Sequence, residues 1–129
     1  MNRTSEPAMS NRSLLPIGLR PHVPAGRDYA GARRFYRAMG FNELWEFEGL
    51  SGFALGAAAF LLHQGEELAP GPRSELRLDV TDLFGWWSHL GSMELPQRFP
   101  GVTIRPPTSL SPVVRLVAPG GVVWHIGGR

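Results

Sequence analysis

The 129-residue chain contains no cysteine and no lysine: all 13 of its basic residues are arginine. Without Cys there is no disulfide framework, no thiolate metal site and no thiol nucleophile, so any metal site would have to be built from His and carboxylates. Without Lys nothing titrates between His and Arg, which accounts for a sequence pI near 9.9 although the formal net charge is only +2. The arginines are scattered, Arg33 and Arg34 being the densest pair, whereas a polyanion-binding domain gathers its basic residues on one face or segment. A nucleic-acid partner is therefore not expected. No long apolar run occurs either. The longest, Gly52 to Leu62, falls short of the roughly 18 residues that suggest a membrane span. Leu14 to Leu19 is too brief for a secretory leader, and no small-residue cleavage site follows it. The expectation is a cytoplasmic protein with no membrane partner.

What the chain has in quantity is punctuation: 16 Gly and 12 Pro. Residues 1–13 are polar, lack periodicity and read as a disordered tail; residues 14–129 read as one domain. Two helices are predicted. Asp28 caps the first, Tyr29, Ala32, Phe35, Tyr36 and Met39 form its apolar stripe, and Gly40 stops it. Asp82 caps the second, with Leu83, Trp86, Trp87 and Leu90 as its stripe and Gly91 at its end. The two tryptophans read as core, and His89 as a surface residue. Strands are predicted near Leu19–Val23, Asn42–Glu48, Leu50–Leu55, Ala58–His63, Glu75–Val80, Val102–Arg105, Val113–Val117 and Val122–Ile126. Gly65–Ser74 and Gly91–Pro100 read as connections without a pattern of their own.

The order is strand–helix–three strands, twice, with the capping aspartates 54 positions apart. Ala59-Phe60-Leu61-Leu62-His63 closes one half, and Val122-Val123-Trp124-His125 closes the other. This is a duplication. One such half cannot cover both faces of its own sheet, but two halves can. The predicted fold is α+β: modules of about 14–66 and 74–127 forming a curved mixed sheet around a cavity, with helices on the convex face. Strand alternation then assigns the inner face. Glu75, Arg77 and Asp79 face inward opposite Leu76, Leu78 and Val80. Val123 and His125 do so from the last strand, Leu61 and His63 from the fourth, and Arg20 and His22 from the first.

Three motifs strengthen this reading. Val23-Pro24-Ala25-Gly26-Arg27-Asp28-Tyr29 leads into Ala32-Arg33-Arg34-Phe35-Tyr36 and Gly40-Phe41; Leu78-Asp79-Val80-Thr81-Asp82-Leu83 precedes Trp86-Trp87; and Ala118-Pro119-Gly120-Gly121-Val122-Val123-Trp124-His125-Ile126 closes the chain. In this order, over roughly residues 19 to 127, they resemble the vicinal oxygen chelate superfamily of glyoxalases, bleomycin-resistance proteins and dioxygenases. The chain departs from that pattern at Ala118, where the family has Asp, and at Ser109-Leu110-Ser111-Pro112, where a Trp-Gly-Arg is common. The resemblance is closest to the bleomycin-resistance and glyoxalase-like proteins. It implies a homodimer that sequesters a small polar or aromatic ligand without a bound metal, as in antibiotic resistance. Arg20, His22, His63, Glu75, Arg77 and His125 would line the site, and Trp45 and Phe47 would supply stacking walls. It also implies two alternatives: a metal-dependent lyase, isomerase or dioxygenase holding a divalent ion with His22, His63, Glu75 and His125, and a regulatory interaction module with a vestigial cavity. No nucleophile elbow or phosphate-binding Gly loop is present, and whether the chain is an enzyme stays open at this level.

Overall fold

The computed structural model describes residues 14–65 and 74–128; the predicted N-terminal tail and most of the Gly65–Ser74 connection lie outside these. The first module runs β1 (His22–Pro24), α1 (Tyr29–Met39), β2 (Asn42–Phe47), β3 (Leu50–Leu55) and β4 (Ala58–His63). The second runs β5 (Glu75–Val80), α2 (Leu83–Ser92), a short α3 (Leu95–Arg98), β6 (Thr103–Arg105), β7 (Val113–Val117) and β8 (Val123–Gly128). Each module forms its own four-stranded mixed sheet, ordered β1-β4-β3-β2 and β5-β8-β7-β6. The single curved sheet expected from sequence is thus two sheets. The outer pairs β1–β4 and β5–β8 are parallel and the other pairs antiparallel, so the duplication extends to topology.

Both helices start as their sequences dictate. Asp28 accepts a hydrogen bond from the Gly31 amide and Asp82 from the Gly85 amide, each at 2.9 Å, satisfying donors that a helix start leaves free. Gly40, at φ 127°, ends α1 with its amide donating to the Arg37 and Tyr36 carbonyls. The second helix passes Gly91 and ends at Ser92. The Gly91–Pro100 stretch is also not a plain connection. It holds α3, whose Leu95 is buried, and Phe99, whose ring meets Phe35 edge-on at 5.4 Å. That contact spans both modules, and local periodicity carries no trace of it.

One core serves both modules. Phe53, Phe60 and Leu62 from the first sheet, Val114, Leu116, Trp124 and Ile126 from the second, and Phe35, Tyr36 and Met39 from α1 belong to a single cluster. Tyr36 is its hub. Its fully buried ring lies 4.9 Å from Phe60 and 5.8 Å from Trp124, and its hydroxyl accepts a 3.2 Å bond from the Trp124 indole N–H. Burial pushes the Tyr36 phenol above its ordinary pKa, which keeps it neutral. The turns after β1 and before β8 also meet, backbone on backbone: a Cβ at Gly120 (φ 82°) would sit 2.6 Å from the Pro24 carbonyl oxygen.

Along the flank of α1, Glu43 accepts from Arg33 Nε at 2.7 Å, Arg33 Nη2 at 3.1 Å and Arg37 Nη1 at 2.6 Å. Arg33 above all holds the Glu43 carboxyl below its ordinary pKa. Nearby, Ser51, the only buried polar residue among the described residues, meets the Tyr29 hydroxyl.

Two outcomes are expected. Tyr36→Phe strands the Trp124 N–H without a partner and should cost about 1–3 kcal/mol in urea unfolding. Because the folded-state pKa of Glu43 is lowered, its contribution is complete above the unfolded-state value and is lost as pH falls through the folded one. Glu43→Gln should therefore cost about 1 kcal/mol at pH 7 and progressively less in acid, flattening the acid limb of the stability curve.

Candidate ligand-binding site

In each sheet one face joins the common core, and the alternate residues of every strand stand on the other. In the second sheet Trp124 and Ile126 are buried in the core, while His125, between them, lies on the open face with Arg77 and Arg115 around a depression of about 420 Å³. In the first, Phe60 and Leu62 are in the core, and Leu61 and His63 stand on the open side, half-buried. The candidate residues therefore divide into two groups, one per sheet.

On the first sheet His22 pairs in register with Leu61, and the His22 and His63 rings lie 5.7 Å apart. Trp45 pairs with Gly52, and Phe47 with Leu50, after a bulge between Glu43 and Trp45 that adds a residue to β2 and shifts its alternation. Trp45 lies flat across the sheet because Gly52 has no side chain: a Cβ at that position would collide with the indole. Trp45 and Phe47 remain 46% and 69% exposed, large apolar surfaces outside any core. Arg20 does not belong to this group. β1 begins only at His22, and Arg20 precedes it on exposed, non-strand backbone. Pro21, which has no N–H to give a sheet, lies between them.

On the second sheet His125 Nε2 lies 2.7 Å from Glu75 Oε1, and Arg77 Nε donates to Asp79 Oδ1 at 2.8 Å. Both members of the Arg77–Asp79 pair are about half exposed, so the pair holds the guanidinium in place more than it stabilises the fold. The Arg77 guanidinium lies over Gly127 as Trp45 lies over Gly52. Two further cations share this face. Arg115 stands opposite His125 in the β7–β8 register, and Arg105 stands opposite Arg115 in the β6–β7 register. Arg115 could have been assigned from the alternation of Val113-Val114-Arg115-Leu116-Val117; Arg105, on a three-residue strand, carries no such signal.

His22, His63, Glu75 and His125 do not come together as one donor set. They form two pairs, one on each sheet, and among the described residues no three His, Asp or Glu lie close enough to hold a metal ion. Within one chain this arrangement does not fit the four-ligand metal site of the alternative enzymatic reading. His89, expected at the surface, is exposed but not idle: its Nε2 lies 3.1 Å from the Met39 carbonyl oxygen, joining α2 to the end of α1.

If Gly52 is what lets the indole lie flat, Gly52→Ala should lift Trp45 from the sheet. A red-shifted tryptophan emission with more accessible acrylamide quenching would report it, and Trp45→Phe in the same background should abolish the change.

No protein-family model matches the chain, and no curated protein does. Solved structures do match it in fold. A bleomycin-binding protein complexed with bleomycin superposes with a TM-score of 0.72 at 19% identity, over 88% of this chain and 99% of that one. The bleomycin-binding protein of bleomycin-producing Streptomyces verticillus, complexed with copper(II)-bleomycin, gives 0.66 at 14% identity, over 90% and 98%. Lactoylglutathione lyase from Agrobacterium tumefaciens gives 0.61 at 16% identity, over 88% and 94%. Two matching βαβββ modules, each with a parallel outer strand pair and one open sheet face, give this chain the fold of these bleomycin-binding proteins and of lactoylglutathione lyase.

Proposed function

We propose that the chain is a small-molecule-binding protein of the bleomycin-resistance type, which sequesters its ligand without making or breaking a bond in it. The observation that carries this reading is the character of the two open sheet faces. Trp45 and Phe47 stand exposed on the open face of one sheet, which they share with the His22–His63 pair across β3, and Arg77, Arg115 and His125 line a depression on the other. Apolar rings next to a few convergent polar groups are the usual makeup of a small-ligand site. Aromatic area held out of a core costs stability unless something covers it. The reading includes a homodimer, in which a second copy laid against these faces would enclose the ligand between aromatic and polar walls.

Holding a ligand this way needs no bound metal and no nucleophile. The rings would stack on an unsaturated part of the ligand, while the His–Glu and Arg–Asp pairs, already oriented by their own contacts, would hydrogen-bond its polar groups. Pre-oriented partners keep the entropy cost of binding low.

A thermal-shift screen with bleomycin, copper(II)-bleomycin and small dicarbonyl, thiol and phenolic compounds tests the proposal. At least one should raise the melting temperature by mass action. Trp45→Ala should then weaken that compound about tenfold or more with little change in the unliganded melting point. Sedimentation should give a dimer. Stoichiometric Zn, Fe, Mn or Ni in untagged protein, lost in both Glu75→Ala and His125→Ala, would overturn the metal-free reading. Stabilisation by none of the compounds would favour an interaction module.

A further inference from the structure

The open face of the second sheet carries one row of residues that its own packing does not explain. Arg105 on β6 stands directly opposite Arg115 on β7, Arg115 opposite His125 on β8, and His125 opposite Arg77 on β5. Four basic side chains therefore cross all four strands on one face, with neighbouring Cα atoms about 4.5–5.5 Å apart. Like charges directly opposite one another destabilise a sheet. Within the row, Arg77 is offset by Asp79 at 2.8 Å, and His125 Nε2 lies 2.7 Å from Glu75 Oε1. Arg105 and Arg115 have no carboxylate partner among the described residues.

The fold does not demand this row. On the open face of the first sheet the rows that cross all four strands, Phe47-Leu50-His63-Pro24 and Trp45-Gly52-Leu61-His22, each carry one ionisable group in four. The charge is particular to the second module. Arg77, His125 and Arg115 line the depression of about 420 Å³, where Ser111 adds a hydroxyl and Val113 an apolar surface, and Arg105 stands at its side as the register partner of Arg115.

We propose that this face binds a small molecule bearing an oxyanion, a carboxylate or phosphoryl group, held by Arg115 and Arg105, with its apolar part against Val113. Guanidinium groups bind such anions through paired, charge-assisted hydrogen bonds, and the anion removes the repulsion that the empty row carries. Glu75 and Asp79 flank the row, which disfavours an extended polyanion and favours a compact ligand. This inference rests on the ligand-binding reading above and names its ligand class.

The probes are phenyl phosphate, benzoate, inorganic phosphate and, as the cationic counterpart, benzylamine, followed by calorimetry and thermal melting at low ionic strength. Phenyl phosphate and benzoate should bind and raise the melting temperature, and benzylamine should do neither. Arg115→Gln and Arg105→Gln should each weaken phenyl phosphate about tenfold or more. Their unliganded melting points should stay level or rise by about 1–3 °C, since a like-charge contact is gone. A merely structural arginine would do the opposite. Arg34→Gln, on the exposed side of α1, should leave binding unchanged.

Variants that melt several degrees lower yet keep phenyl phosphate affinity would overturn the inference. So would variants that lose dimerisation and not phenyl phosphate binding, or a single-stranded oligonucleotide bound more tightly than phenyl phosphate. Binding of benzylamine or bleomycin but of no anion would overturn this inference and leave the ligand-binding reading intact. Binding of nothing would end both.

Discussion

The contact between Tyr36 and Trp124 holds the architecture together. Tyr36 belongs to the helix of the first module and Trp124 to the last strand of the second, and the indole N–H donates to the phenol where both side chains are buried. Around it Phe53, Phe60, Phe41 and Phe35 pack at ring spacings of 4.9–6.0 Å, so the modules share one core instead of each covering its own. Since both sheets commit the same kind of face to this core, the same kind of face is left over on each. The two candidate binding surfaces are a consequence of that packing, not an addition to it.

The duplication makes the leftover faces comparable, since both sheets have the same strand order. The open face of the first sheet carries Trp45, Phe47, His22 and His63, and that of the second carries Arg105, Arg115, His125 and Arg77. One module is aromatic on its open face and the other cationic, with histidine on both. A glycine beneath a long side chain recurs as well: Gly52 under Trp45, Gly127 under Arg77. Each lets a large group lie flat on the sheet, where it presents its area to a ligand. The shared backbone needs neither the rings nor the arginines, so their presence is better explained by what they contact outside the fold.

Local structure was legible because its causes are local. Asp28 and Asp82 cap helices through amides three residues away, and Gly40 ends α1 because few other residues tolerate its backbone angle. Alternation placed His63, Glu75, Arg77 and His125 on the open faces for the same reason: a strand's period of two follows from its own backbone. Where a neighbouring strand intervenes, the reading fails. The bulge in β2 depends on how β2 meets β3, and the loss of Arg20 from β1 depends on where β1 joins β4, which runs on to Ala58 without it.

By itself, then, the amino-acid sequence determined the two modules, their order, their helix caps and the face on which most candidate residues stand, since each follows from side chains a few positions apart. The tertiary structure alone decided which of those residues meet. It separated His22 and His63 from Glu75 and His125, drew α3 and Phe99 into the core, and aligned Arg105, Arg115, His125 and Arg77 into one row. Strand register and sheet packing are contacts between distant parts of the chain, and no local periodicity encodes them.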